Sequence, residues 1–68
     1  MIVELNGRTE ELPEGATVAD AVKVVGVDGE PRGIAVAVDG EVVRRGDWGS
    51  TTLGDRQAVE VVRAVQGG

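Results

Sequence analysis

The sequence ends on Gln66-Gly67-Gly68, directly after the valine-rich run Val59-Glu60-Val61-Val62-Arg63-Ala64-Val65. The reactive group at this end is the α-carboxylate of Gly68. Glycine has no Cβ, so two in series can take any backbone angle and thread a narrow channel. The four residues from Val65 to Gly68 reach about 13 Å when extended. Such a tail carries a carboxylate into another protein's active site while its own domain stays outside. A carboxylate is a poor electrophile until one oxygen becomes a leaving group, and an acyl-adenylate formed from ATP supplies one. Sulfide added to that activated carbonyl gives a thiocarboxylate, which carries sulfur without a thiol.

Other chemistry is scarce. The 68 residues contain no Cys and no His. Thiol nucleophiles, disulfides, thiolate–imidazole zinc clusters and imidazole acid–base catalysis are therefore excluded. The carboxylates show no calcium-loop spacing, so no metal site is expected. Twelve acidic against seven basic side chains give a charge of −5, and Trp48 is the sole aromatic residue. Phosphate backbones would be repelled and stacking platforms are missing, which argues against nucleic acid as a partner. The same charge suits steering toward a basic patch on a partner protein. No apolar stretch reaches membrane-spanning length and no signal peptide is visible, so a cytoplasmic location with no membrane contact is expected.

The tail needs a mount, and the chain is long enough for one small core. Fourteen of its 28 apolar residues are valine, a β-branched excess that favours sheet. Val3 and Leu5 alternate with Glu4 ahead of Asn6-Gly7, the strongest short hairpin signal, and a return strand is expected through about Arg8–Leu12. Ile2 then points to the other face of the sheet. Pro13 and Gly15 break the strand. Thr17 stands as a helix N-cap with Asp20 three residues on, and Val18, Ala21, Val22 and Val25 recur at helical spacing up to a stop at Gly26. A polar loop over 28–33 leads to a third strand, Ile34–Val38. Asp39-Gly40 turns it back through Glu41–Val43. The segment Arg44–Gly49 reads as irregular, with Trp48 laid as a lid over one end of the core. Gly54-Asp55-Arg56 then turns the chain into the last strand.

Hairpin, helix, hairpin, crossover and strand fit a mixed four- to five-stranded sheet with one helix packed across it. The last strand is expected centrally, parallel to the first, because a helix-containing connection permits parallel pairing. This is the α+β, ubiquitin-like β-grasp arrangement. It divides the chain into a domain over 1–65 and a flexible tail over 66–68. In the last strand Val59 and Val61 face the helix. Val62 and Ala64 face away and, with Ile2, make a candidate apolar patch for a protein partner.

Over nearly its whole length the chain resembles the ThiS family, the sulfur carriers of thiamine biosynthesis. The resemblance rests on Asn6-Gly7, on 12–18 (LPEGATV), on 34–43 (IAVAVDGEVV), on Arg45 with Trp48, on Ser50-Thr51 with Leu53, and on Val59–Val65 before Gly67-Gly68. It implies that a ThiF-type adenylyltransferase uses ATP and magnesium to place AMP on Gly68. A sulfur donor protein then forms the thiocarboxylate, and thiazole synthase (ThiG) takes the sulfur. On this reading the domain is a protein cosubstrate with no catalytic residue and no bound cofactor, while Gly67 and Gln66 enter the partner's active site. The chain departs from the family pattern where proline is common (Arg44, Thr52), where Gly-Asp usually precedes the last strand (Arg56-Gln57), and at Gln66, where glycine is frequent. A sulfur carrier of another pathway shares the tail chemistry, whether a MoaD-like subunit of molybdopterin synthase or a carrier for cysteine synthesis. A ubiquitin-like modifier joined through Gly68 to target lysines is the reading from another class, and a plain β-grasp binding module with an incidental tail is a further one.

Overall fold

A computed structural model describes residues 1–26 and 33–63. The expected loop over 28–33 lies outside the described residues except for Gly33, as does the chain from 64 to 68. The described elements are β1 (Ile2–Leu5), β2 (Arg8–Glu11), α1 (Val18–Val25), β3 (Ile34–Val38), β4 (Glu41–Val43), a 3-10 helix (Arg45–Ser50) and β5 (Ala58–Arg63). They form one five-stranded sheet in the order β2-β1-β5-β3-β4. Strand β5 runs parallel to β1 and antiparallel to β3, so the last strand is central, flanked by the two hairpins. With α1 on one face, this is the β-grasp fold.

Each hairpin turns where two successive residues accept positive φ. Asn6 and Gly7 stand at 52° and 81°, and Asp39 and Gly40 at 50° and 84°. Such turns twist in the same sense as the strands they join. Alternation then sorts the sheet faces. Val3, Leu5, Val36, Val38, Val59 and Val61 are buried beneath α1, which contributes Val18 and Ala21. Leu12, Ala16, Trp48 and Leu53 complete the core.

Helix α1 begins as its sequence dictates. The Thr17 hydroxyl accepts from the Asp20 N–H at 3.4 Å, and the Asp20 carboxylate accepts from the Thr17 N–H at 2.9 Å, a reciprocal capping box. Gly26 ends the helix in the left-handed conformation, its N–H donating to Lys23 O. The inward stripe is shorter than its spacing predicts. Val22 is only half-buried and Val25 is exposed, because the eight-residue helix runs out over the rim of the β1–β2 hairpin.

The segment expected to be irregular is instead a six-residue 3-10 helix. Gly46 and Gly49 discourage a longer α-helix, while Asp47 N–H donates back to Arg44 O at 2.8 Å. The Ser50 and Thr51 hydroxyls both donate to Asp47 O and close its far end. Trp48 is 6% exposed and donates its indole N–H to Val43 O at 3.0 Å, so the lid is also a tie to β4.

Candidate functional site: the exit of strand β5 and the outer sheet face

Gly68, Gly67, Gln66 and Ala64 lie outside the described residues, so the site is visible through what leads to it. Strand β5 delivers the chain to Arg63, the last described residue. Its antiparallel ladder with β3 runs its length, from Val38↔Val59 to Ile34↔Arg63. On the other side the parallel ladder with β1 is short, pairing Glu4↔Ala58 and Leu5↔Val59. Beyond it the Asn6 side chain takes over. Its Oδ1 accepts from Val61 N–H at 2.7 Å and its Nδ2 donates to Val61 O at 3.1 Å. At the start of β5 the residue in the matching turn position does similar work, with Asp39 accepting from Ala58 N–H at 3.0 Å and from Gln57 Nε2 at 3.1 Å.

On the outer face of the sheet, Val62 of the expected patch is exposed, and Ala64 lies outside the described residues. Val62 is 55% exposed beside Ala35, its direct partner on β3, and Val42 on β4, 74% exposed, lies diagonally beyond, opposite Ala37. Ile2 shares the face but not the patch. The register sets Glu4 beside Ala58, so Ile2 sits six residues from Val62 along the strand direction, about 20 Å at some 3.3 Å per residue. Sequence alternation gave the correct face for Ile2, but only the strand register reveals that separation. The missed members, Ala35 and Val42, carried a readable signal: they alternate with the buried Val36 and the half-buried Val43. The half of the face formed by β2, β1 and β5 is acidic, with exposed Glu4, Glu11 and Glu60.

Among the described residues there is no group of His, Cys, Asp and Glu side chains able to hold a metal ion. Concavities are found among the described residues. One of about 580 Å³ lies between the β3–β4 turn and Thr51, Thr52 and Gln57; one of about 150 Å³ lies between the end of α1 and the β1–β2 hairpin. No buried side-chain polar atom among the described residues lacks a partner, so neither concavity shows an unsatisfied group waiting for a ligand. No described helix is long and apolar enough to cross a membrane.

The family model described as "ThiS family" matches residues 2–68, the chain from its second residue to its last. A crystal structure of the thiamine biosynthesis protein ThiS from Geobacter metallireducens superposes with a TM-score of 0.81 at 27% identity, each chain covered completely. An NMR structure of a thiamine biosynthesis protein from the same organism superposes with a TM-score of 0.78 at 28% identity, covering all of this chain and 88% of that one. No curated protein matches the sequence. A β-grasp sheet whose central strand leads to Gly67-Gly68, matched across residues 2–68 by one family model, places the chain in the ThiS family of sulfur carriers.

Proposed function

We propose that this chain carries sulfur for thiazole formation in thiamine biosynthesis, with the Gly68 carboxylate as the carrying group. A carboxylate oxygen of Gly68 attacks the α-phosphorus of ATP on a ThiF-type adenylyltransferase, expelling pyrophosphate and leaving an acyl-adenylate. Magnesium on that enzyme balances the phosphate charge. Sulfide (HS⁻) supplied by a donor protein attacks the acyl carbon, the acyl–phosphate C–O bond breaks as AMP departs with one former carboxylate oxygen, and the proton is lost to leave Gly68 as a thiocarboxylate. Thiazole synthase (ThiG) then takes the sulfur and returns the carboxylate. The chain contributes no catalytic side chain, only a carboxyl group, a narrow Gln66-Gly67 approach and a docking face.

The observation that carries this reading is β5 itself. The strand that leads to the two glycines is the central one, clamped on both sides, inside a family-matched fold. The Val62–Ala35–Val42 patch and its acidic flank supply a face on which an activating enzyme could seat the domain. Intact mass spectrometry after incubation with a cognate activating enzyme, ATP and a sulfur source tests the chemistry. An AMP adduct should appear first, followed by a product heavier by the difference between sulfur and oxygen. Gly68→Ala should lower the yield, because the added methyl must enter the same channel. Absence of both products with an enzyme shown to be active would overturn the carrier chemistry. Copurification with the large subunit of molybdopterin synthase instead of thiazole synthase would overturn the choice of pathway.

A further inference from the structure

Strand β5 is supported unequally along its length, and the weaker side is the one nearest its exit. In the parallel ladder the main chain alternates, with Glu4 N–H donating to Gln57 O and Asn6 N–H donating to Val59 O, both at 2.9 Å. The next rung would need the carbonyl of residue 6 and the N–H of residue 8. Those groups are unavailable to β5, because the chain turns away at Asn6-Gly7 and returns as β2 on the far side of β1. The Asn6 amide replaces both groups, its oxygen accepting from Val61 N–H and its nitrogen donating to Val61 O. The side chain thus extends the parallel ladder by one rung, two residues before the described part of the chain ends at Arg63.

We infer that Asn6 is a positioning residue for the sulfur-carrying tail: by clamping Val61 it fixes the direction in which β5 hands the chain on toward Gly68. This deepens the proposed function and rests on it. Asn is suited to both demands of the position. It tolerates the positive φ of the turn, and it offers a donor and an acceptor on one planar group. Leucine or alanine could supply neither hydrogen bond, and aspartate only the acceptor. Without the clamp the end of β5 is held from the β3 side alone. It then samples several directions, of which a fraction suits entry to a partner's channel. Apparent affinity falls by that fraction, while turnover of correctly bound carrier is unchanged.

Asn6→Gly tests this, since glycine keeps the turn and removes both bonds. Val22→Ala, at a half-buried position of α1 packed against the core, controls for general destabilisation. Residual dipolar couplings of the Val61, Val62 and Arg63 N–H vectors should change in Asn6→Gly and not in Val22→Ala, with exchange of the Val61 amide faster by about tenfold, as expected on losing a hydrogen-bonded rung. In adenylation assays the KM for Asn6→Gly carrier should rise on the order of three- to tenfold with kcat within about twofold. Unchanged couplings, an unchanged KM, or an equal rise in KM for Val22→Ala would each overturn the role of Asn6. If wild-type carrier is not adenylated, the carrier chemistry fails, and the couplings still decide whether Asn6 orients the strand. Should Asn6→Gly fail to fold, Asn6→Asp keeps the turn and the Val61 N–H acceptor, and the same shifts are expected at reduced size.

Discussion

Arg56 holds a conformation that the side chain does nothing to encourage. Its φ of 70° lies in the left-handed region, where a residue with a Cβ is strained by about 1–2 kcal/mol. The resemblance to the family places glycine at this position, a residue that takes positive φ without strain. The neighbours explain how the turn survives. Arg56 N–H donates to Ile2 O, Asp55 Oδ1 accepts from Ile2 N–H at 2.7 Å, and Gln57 Oε1 accepts from Gly54 N–H. Arg44, where the family often has proline, likewise sits at φ −65°, the angle proline would impose. Arg56→Gly should therefore stabilise the fold. Relief of the left-handed strain outweighs the extra freedom glycine gives the unfolded chain, leaving about 0.5 kcal/mol, or some 2–4 °C in Tm for a domain of this size. The exposed Arg56–Asp55 contact at 3.8 Å contributes too little to reverse the sign. A lower Tm for the variant would mean that the arginine side chain, rather than its backbone, secures the turn.

Among the elements, α1 depends most on its ends. Valine is a weak helix former and the helix is only eight residues long, so the capping box and the sheet beneath must hold it. The Thr17 N–H donating to Asp20 holds that carboxyl below its ordinary value of 3.8; partial desolvation opposes the shift, while the Thr17 hydroxyl and Lys23 reinforce it. A carboxyl with a lowered folded-state pKa stabilises the fold above its unfolded value, and that contribution disappears as pH falls through the folded value. Urea unfolding should show wild type losing more stability than Asp20→Asn between neutral pH and pH values below 3.8. Parallel losses in the two proteins would show that Asp20 has no part in acid unfolding. This helix also illustrates what could be read in advance. Thr17 and Asp20 announced its start and Gly26 its stop, because caps act within one turn. The exposure of Val25 was not legible, since it depends on where the β1–β2 rim falls. The same division runs through the sheet. Asn6-Gly7 was readable as a turn, but the grip of Asn6 on Val61 requires β1 and β5 to be neighbours, a contact spanning 55 residues. The 3-10 helix was hidden because its backbone bonds offer no apolar period, and Trp48 was read as a lid without its bond to Val43. At the tail, residue chemistry alone pointed to Gly68.

At the scale of the whole molecule, the two sheet faces divide the work. One is committed to the core, and the other presents apolar Val62, Ala35 and Val42 beside acidic Glu4, Glu11 and Glu60. With a net charge of −5, long-range attraction would bring the acidic half toward a basic surface, and the apolar half would add contact once water is expelled. The two contributions respond to different perturbations. Salt screens exposed charges lying further apart than a Debye length, about 8 Å at physiological ionic strength and shorter as salt rises, and leaves apolar burial intact. Replacing Val62 and Val42 together with threonine keeps both β-branched shapes and removes one apolar methyl from each. If both methyls are buried against the partner, at about 0.8 kcal/mol apiece, affinity should fall roughly tenfold. Because Val62 is 55% and Val42 74% exposed in the free domain, folding stability should stay within about 0.5 kcal/mol. Surface plasmon resonance against an activating enzyme, at low and high salt, separates the effects. Added salt should slow association of both proteins alike, while the double variant should dissociate faster at either salt. Equal dissociation rates for wild type and double variant would place the docking contact away from this face.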